Sequence, residues 1–233
     1  MEPALTEIQQ LTASPLIPYV KRAFAQAFAG EGTLDPGVLT MDGMSGRKYR
    51  LFINNLIKTI PNPRYLEVGS WAGSTLCSAI NGNAVTAAAI ENWSQFGGPR
   101  DAFVANLAAF RSSSSEVRVL EQDFRTVDYT SIGAFNVFMY DGPHSPEDQY
   151  DGIALARPAL DAEFVLIVDD WNWQEVRLGT ARAIEQLDLS MEYSLEIRSS
   201  LDNSHPEVGF QHSDWHNGYF ISVVRQPVAG QAG

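Results

Sequence analysis

The segment "YLEVGSWAGSTL", Tyr65 to Leu76, joins a short apolar run to a helix-compatible stretch through two glycines. Because glycine lacks a Cβ atom, Gly69 and Gly73 predict a turn that lets the backbone approach a ligand at the start of a helix. Their G-x-x-x-G spacing differs from the G-x-G-x-x-G loop that cradles a pyrophosphate. Glu67 precedes the turn, and its carboxylate would repel a pyrophosphate but suit a ligand with a positive group.

From this turn onward, short apolar runs alternate with longer helix-compatible segments. The runs are "RYLEVG", "AVTAAAIE", "VRVLEQD", "FNVFMYD" and "FVLIVDD", and two further strands are predicted at "SLEIRSS" and "GYFISVVRQ". Helices are predicted between them, for example at Ser74 to Ile80, Pro99 to Phe110 and Glu147 to Leu160. This alternation is typical of βαβ units. It predicts an α/β fold with a mostly parallel seven-stranded sheet, helices on both faces and an antiparallel last strand.

The region before the first run reads as helix and loop. "LIPYVKRAFAQAF" has apolar residues at helical spacing, and "GRKYRLFINNLIKTI" forms a second amphipathic pattern that ends at the prolines of "PNP". A chain of 233 residues fits one sizeable domain. We therefore expect a single domain over residues 1–233, with residues 1–42 as an N-terminal helical cap that covers the cofactor or mediates dimerisation.

Composition and charge exclude several kinds of partner. The formal net charge of −12 disfavours nucleic acid and anionic membranes. Cys77 is the single cysteine, so no internal disulfide can form and a reducing compartment is expected. No apolar run approaches the ~20 residues that span a bilayer, and "MEPALTEIQQ" lacks the features of a secretory signal. The sequence predicts a cytoplasmic protein.

Acidic residues stand at the ends of four predicted strands. They are Glu91, Asp123, Asp141 and the pair Asp169–Asp170. Each acid alone could be a solvated strand end or a helix cap. Because ligands of open parallel sheets bind at the carboxyl ends of the strands, the whole set favours a binding site on one rim.

The first of these acids indicate a cofactor. Glu91 is placed to accept hydrogen bonds from both hydroxyls of a ribose, and Asp123 could accept one from an adenine amino group. Glu67 suits the cationic part of an amino acid or a sulfonium. Ribose, adenine and a cationic amino acid together describe S-adenosylmethionine.

The motifs "YLEVGSWAGST", "IENWS", "LEQDF", "MYDGPHS" and "IVDDWNW", in this order, resemble class I S-adenosylmethionine-dependent methyltransferases. Within that class they are similar to the small metal-dependent O-methyltransferases of the catechol and macrocin types and their bacterial relatives. The resemblance covers roughly residues 43–187 and implies a Rossmann-like methyltransferase fold. It implies these cofactor-binding residues: Met44, Ser45, Glu67, Gly69, Gly73, Thr75, Glu91, Asp123 and Asp141.

A metal site is predicted at the ends of the fourth and fifth strands. Asp141, Asp169 and Asp170 would lie close together there and repel one another unless a cation neutralised them. All-oxygen ligation favours Mg²⁺ or Ca²⁺ over zinc. The catechol-type enzymes bind Mg²⁺ with an Asp-Asn pair after the fifth strand, whereas this chain has Asp-Asp. Whether both aspartates ligate is therefore open, Asn172 is a spare donor, and one of the pair could instead cap the next helix.

His144 is the candidate catalytic base. In the catechol-type enzymes a lysine base stands three residues after the first metal aspartate, and His144 occupies that position here. A histidine near its ordinary pKa can take the proton of a hydroxyl that a metal has acidified. The alternative is a loop histidine that caps the following helix. No role is assigned to His205, His212 or His216.

Together these features predict an S-adenosylmethionine-dependent O-methyltransferase, assisted by a divalent metal, that acts on a small hydroxylated acceptor such as a sugar, a diol or a catechol. One alternative is a nicotinamide-dependent oxidoreductase, against which Glu67 and the missing middle glycine argue. Another is a protein that binds S-adenosylmethionine without catalysis. A homo-oligomer is left open.

Overall fold

The computed structural model describes residues 2–10 and 14–227, which build an eight-stranded sheet flanked by seven α-helices and three short 3₁₀ turns. The strands are β1 Ala4–Gln9, β2 Arg64–Val68, β3 Thr86–Ile90, β4 Glu116–Leu120, β5 Phe135–Tyr140, β6 Leu160–Asp169, β7 Ser190–Arg198 and β8 Tyr219–Arg225. The helices are α1 Ile17–Phe28, α2 Pro36–Thr40, α3 Arg47–Thr59, α4 Ser74–Ile80, α5 Arg100–Phe110, α6 Pro146–Ala156 and α7 Gln174–Gln186. Within the described ranges, no helix has the length and apolarity that a membrane crossing requires.

The strand order is β1-β7-β8-β6-β5-β2-β3-β4. Strands β2 to β6 pair in parallel, while β8 runs antiparallel to both β6 and β7. This topology confirms the predicted Rossmann-like methyltransferase fold. The order reverses between β2 and β5, and such a reversal opens a crevice at the carboxyl ends of the two strands.

The eighth strand was not predicted. Strand β1 lies inside the segment 1–42 that was expected to be helix and loop, and it pairs antiparallel with β7 at the sheet edge. All six of its side chains are exposed, so "ALTEIQ" carries no buried apolar alternation that would mark a strand. Helices α1 and α2 occupy the rest of the described segment, and its role as a cap or a dimerisation element stays a prediction.

Two apolar cores cover the two faces of the sheet. On β2, Tyr65 faces the core that contains α1, α3 and α4, and Leu66 faces the core that contains α6 and α7. Successive residues of a strand point to opposite faces, so both sets must be apolar when both faces are covered. This is why the parallel strands read as continuous apolar runs.

The glycine turn between β2 and α4 packs directly on the turn that follows β5. Gly69 has φ +85°, and a Cβ atom there would lie 1.9 Å from the carbonyl oxygen of Asp141. The backbone N–H of Asp141 donates to the carbonyl of Val68 at 2.8 Å. Gly73, also at φ +85°, precedes the first residue of α4. Gly69 therefore allows the close approach of these two backbone turns.

We expect Gly69→Ala to lower the free energy of unfolding by more than about 4 kcal/mol, because the new methyl group would overlap a backbone carbonyl that cannot move aside. Gly82→Ala is the matched control. Gly82 has φ +69°, but a Cβ atom there would meet nothing within 4 Å, so only the conformational cost of about 1–2 kcal/mol remains. Urea unfolding measures the free energy of unfolding of both variants. Equal losses of this free energy in Gly69→Ala and Gly82→Ala would contradict the packing explanation.

Candidate active site

A cavity of about 680 Å³ opens at the carboxyl ends of the parallel strands. Its size lies within the range of small-molecule sites, roughly 300–1,000 Å³. The structure brings to its wall most of the residues predicted for the site. Those that line it are Met44, Gly69, Glu91, Asp123, Asp141, His144, Asp169 and Asp170. Four predicted site residues are not on the wall: Ser45, Glu67, Gly73 and Thr75.

Glu67 lies fully buried beneath the glycine turn. Its carboxylate accepts hydrogen bonds from the Tyr65 hydroxyl, from Ser70 Oγ at 2.6 Å and from Thr75 Oγ1 at 2.8 Å. Burial raises the pKa of Glu67 to about 7 even though these hydroxyl groups lower it. Glu67 therefore holds the turn from inside the core, and direct contact of Glu67 or Thr75 with a cofactor stays a prediction.

Glu91 ties the glycine turn to the end of β3. Its Oε2 atom accepts the backbone N–H groups of Ser70 at 2.9 Å and Trp71 at 2.8 Å, and its Oε1 atom accepts that of Trp93 at 2.6 Å. Asp123 accepts the backbone N–H of Arg125 at 2.9 Å and so caps a short 3₁₀ turn. Both carboxylates also line the cavity, where they could receive the hydroxyl and amino groups of a nucleoside.

The segment that carries Met44 and Ser45 is pinned to the cavity by a buried arginine. The Arg50 guanidinium donates to backbone carbonyls between residues 38 and 43 and, through Nε, to Ser45 Oγ at 3.0 Å. Ser45 Oγ also bonds to Ser74 Oγ at 2.9 Å. Ser45 therefore fixes the segment on α4, while Met44 reaches the cavity wall.

At another part of the wall, Asp141, His144 and Asp170 form a compact polar cluster. His144 Nε2 lies 2.7 Å from Asp170 Oδ2 and 4.0 Å from Asp141 Oδ1. Each residue offers one ligand atom, and these atoms all lie within 4.8 Å of one another. Two carboxylates and one imidazole at this spacing could hold a divalent cation.

The pKa of His144 differs from the ordinary value that the sequence analysis assumed for it. Burial alone lowers the pKa of His144, but the nearby carboxylates of Asp170 and Asp141 outweigh it and raise the pKa to about 10. Burial favours protonation of Asp170 as well, but His144 outweighs it and lowers the pKa of Asp170. Burial raises the pKa of Asp141 to about 7. The raised pKa of His144 and the lowered pKa of Asp170 favour a charged pair between these two side chains, whose nearest atoms lie 2.7 Å apart.

Asp169 and Asp170 have different environments although they are neighbours in the chain. Asp169 Oδ1 accepts the backbone N–H of Asp170 at 2.7 Å. Burial, followed by the charges of Asp141 and Asp170, raises the pKa of Asp169 well above its ordinary value. Asp170 has φ +56°, and its Oδ1 accepts from Asn217 Nδ2 at 2.8 Å. Asp170 therefore joins the cluster with His144, whereas ligation by Asp169 stays a prediction.

The capping alternatives find no support in the structure. The N-cap of α7 is Trp173, without a side-chain cap, so neither Asp169 nor Asp170 caps that helix. The N-cap of α6 is Ser145, which forms a reciprocal capping box with Asp148, so His144 is free of that role. A cap fixes the helix start next to His144 and so fixes where the imidazole lies.

Asn172 is committed to structure. Its Oδ1 accepts the backbone N–H groups of Ser199 and Ser200, and its Nδ2 donates to Ser199 Oγ and to Asn217 Oδ1. Asn217 in turn donates to Asp170. Asn172 is therefore an internal link between the strand ends and the next loop, and its amide oxygen is already occupied.

The loop between β7 and β8, residues 199–218, supplies wall residues that were not assigned from the sequence. Those on the cavity wall are His205, Phe210 and His216. The Trp173 ring makes edge contacts with His144 and His205, each at 5.0 Å between ring centroids. The density of histidine and aromatic residues in "NSHPEVGFQHSDWHNGYF" was the available signal. It could not separate His216, which lines the cavity, from His212, which does not.

Comparison with known proteins agrees with the fold. Residues 66–171 match the family described as a methyltransferase domain. The structure is similar to cofactor-bound Rv0187 from MTB (TM-score 0.53, 16% identity, 93% of each chain covered). It is also similar to the SAH-bound methyltransferase PaMTH1 of Podospora anserina (TM-score 0.52, 10% identity, 94% of this chain and 90% of that one). No significant match was found among curated proteins. The matched segment spans less than half of the chain, and the similar structures show the fold that this chain shares with methyltransferases.

The buried Glu67 makes the stability of the protein depend on pH. Its carboxyl group holds a proton up to about pH 7 when folded but has an ordinary pKa of 4.5. The protonated carboxyl group of Glu67 therefore stabilises the folded state fully below the unfolded pKa of 4.5, and this stabilisation is lost as the pH rises through the folded pKa of about 7. Relative to Glu67→Gln, the wild-type free energy of unfolding should fall by about 3 kcal/mol between about pH 5 and pH 8.

Urea unfolding followed by tryptophan fluorescence at both pH values measures this difference. Glu31→Gln, which removes an exposed carboxylate, controls for the loss of one charge and should follow the wild type. Parallel pH curves for wild type and Glu67→Gln would show that the buried carboxyl group is ionised throughout.

Proposed function

We propose that the protein is an S-adenosylmethionine-dependent O-methyltransferase, assisted by a divalent cation, that acts on a small hydroxylated acceptor such as a sugar, a diol or a catechol. The observation that carries the proposal is one cavity lined both by Glu91 and by the Asp141–His144–Asp170 cluster. The first suits a nucleoside, and the second suits an acceptor hydroxyl. The methyltransferase-domain match over residues 66–171 supports the reaction class.

The cofactor side rests on the strand-end acids and the glycine turn. Glu91 would accept hydrogen bonds from the ribose hydroxyls and Asp123 would accept one from the adenine amino group, while Gly69 places backbone alone at its position on the cavity wall. The bound cofactor supplies the methyl group. That PaMTH1 was crystallised with SAH supports this choice of cofactor. A nicotinamide dinucleotide would need a pyrophosphate loop, and the turn from Gly69 to Gly73 lacks the third glycine of that loop.

The cation side rests on the chemistry of the ligand atoms. Asp141 and Asp170 would hold a divalent cation, and carboxylate oxygens suit Mg²⁺ or Ca²⁺. Carboxylate ligands suit Mn²⁺ as well, so His144 need not be a ligand for this cation to bind. A cation bound there supplies a Lewis acid that lowers the pKa of an acceptor hydroxyl.

His144 would take the proton that the acceptor loses. Its pKa of about 10 depends on two uncompensated carboxylates. Neutralising those charges removes the stabilisation of the imidazolium and returns the ring toward its neutral, basic form. Because Nε2 faces both carboxylates, the base and the acceptor hydroxyl would share the same corner of the cavity. Binding both reactants there orders them for methyl transfer.

The cofactor assignment predicts that SAH binds and raises the melting temperature, whereas NADH does not. Glu91→Gln should weaken SAH binding at least tenfold, because a charge-assisted contact worth about 1.4 kcal/mol is lost. Glu121→Gln is the control, since Glu121 follows β4 but pairs with Arg100 on the surface. Isothermal titration measures all three proteins. Unchanged affinity in Glu91→Gln would rule out the ribose contact, and no SAH binding by the wild type would refute the proposed function.

The cation assignment predicts that Mg²⁺ or Mn²⁺ raises the melting temperature of the SAH-bound protein. Asp141→Asn and Asp170→Asn should each require at least tenfold more cation to reach the same rise in melting temperature. Asp169→Asn tests the choice of ligands. Because Asp169 lies outside the cluster, its variant should respond within a few-fold of the wild type. A lost response in Asp169→Asn with a normal response in Asp170→Asn would instead favour Asp169 as the ligand.

A further inference from the structure

His216 is a buried polar side chain on the cavity wall that the proposed reaction does not use. It is 7% exposed and lines the cavity beside Asp170 and Phe210. Asn217, the next residue, is the one that donates to Asp170. His216 is therefore held next to the cluster that would receive the acceptor hydroxyl.

The backbone of His216 is fixed in a conformation that a histidine rarely adopts. Its φ is +42°, in the left-handed region that costs a residue with a Cβ atom about 1–2 kcal/mol. Hydrogen bonds hold it on both sides, because its N–H donates to Ser213 Oγ at 2.8 Å and its carbonyl accepts from Ser199 Oγ at 2.6 Å. Strain that the surroundings maintain in this way is characteristic of functional positions.

The hydrogen bond at one ring nitrogen determines the tautomer of His216. Nδ1 accepts the backbone N–H of Phe210 at 3.0 Å, so in the neutral ring the proton is on Nε2. Gly209 lies against the Nδ1–Cε1 edge, where a Cβ atom would stand 3.4 Å from Nδ1. Nε2 makes no hydrogen bond within residues 2–10 and 14–227. His216 lines the cavity, and Nε2 is absent from the fully buried atoms that lack a partner, so this donor is available to a ligand.

Flat side chains line the same cavity as this donor. The Phe210 ring stacks on the His216 ring at 5.2 Å between centroids and 25° between planes, and Phe210 is itself 49% exposed. Trp173 and His205 complete this side of the cavity. Ring faces favour offset-stacked or edge contacts with another planar group. A planar acceptor fits this wall better than a puckered sugar.

The charge of the neighbours restricts what the donor can hold. Asp141 and Asp170 are carboxylates of the same cluster, so a further anionic group would be repelled. An N–H group requires a partner that accepts. A neutral carbonyl oxygen meets both conditions, because it accepts hydrogen bonds and carries neither a proton nor a net charge.

We propose that the loop 199–218 forms the acceptor subsite and that His216 Nε2–H holds a planar, ring-bearing acceptor by a neutral carbonyl oxygen next to the hydroxyl that is methylated. This inference rests on the proposed function. His216 is a positioning residue in this scheme, since its hydrogen bond fixes the ring so that the hydroxyl lies at the Asp141–His144–Asp170 cluster.

Two substitutions separate recognition from anchoring of the loop. In His216→Asn the side-chain oxygen takes the place of Nδ1 and keeps the bond from Phe210, but the cavity donor is lost. Asparagine also tolerates the left-handed conformation. In His216→Gln the longer amide places an N–H₂ group near the position of Nε2, but the bond from Phe210 is lost. His212→Asn is the matched control in the same loop, away from the cavity wall.

The probes are 2-hydroxyacetophenone, which has a carbonyl next to a ring hydroxyl, and phenol, which lacks the carbonyl. Isothermal titration into the protein with SAH and Mg²⁺ should show at least tenfold tighter binding of 2-hydroxyacetophenone than of phenol. His216→Asn should bind 2-hydroxyacetophenone about tenfold more weakly, as expected for the loss of one hydrogen bond, and its affinity for phenol should not change. His216→Gln and His212→Asn should stay within about threefold of the wild type.

The inference is overturned if His216→Asn binds 2-hydroxyacetophenone normally while His216→Gln does not, since His216 would then only anchor the loop. It is also overturned if the wild type does not prefer 2-hydroxyacetophenone to phenol. The SAH affinity of the same samples distinguishes a failure of the acceptor subsite from a failure of the proposed function. Normal SAH binding with either outcome refutes the acceptor subsite alone, whereas absent SAH binding refutes the proposed function.

Discussion

The site depends on the close contact between the turn after β2 and the turn after β5. A Cβ atom on Gly69 would lie 1.9 Å from the carbonyl oxygen of Asp141, so a larger residue could not bring these strand ends together. The contact places Asp141 beside the glycine turn. Glu67 supports the turn from below, and Glu91 ties it to β3. One short approach between two backbones thus sets the shape of the cavity between the sites proposed for cofactor and acceptor.

The second constraint is the burial of negative charge at the ends of β5 and β6. Asp141 and Asp170 are brought together by parallel pairing of these strands, and like charges at this spacing repel. His144 offsets the repulsion as an imidazolium, and Asn217 donates a further hydrogen bond. A divalent cation would meet the same need, so the charge repulsion between the two carboxylates links the stability of the cluster with its proposed chemistry.

Most of the fold could be predicted because burial on both faces leaves a direct trace in the sequence. The apolar runs at β2, β3, β5 and β6 mark the parallel strands, and helix-compatible segments mark α4, α5 and α6. Strand β1 could not be found in this way. Its side chains are all exposed, and backbone hydrogen bonds to β7 hold it in the sheet. Such bonds are available to any residue except proline and leave little trace in the sequence.

The sequence by itself determined which acids stand at the strand ends and that a glycine turn lies among them, because strand period and residue type are local properties. The tertiary structure decided what each residue does. It buried Glu67 under the turn, paired His144 with Asp170 and left Asp169 outside the Asp141–His144–Asp170 cluster. It also folded the loop 199–218 over the cavity, so that His216 lines it and His212 does not. Burial, pKa and the direction of a side chain depend on neighbours distant in the chain, so these assignments required the folded structure.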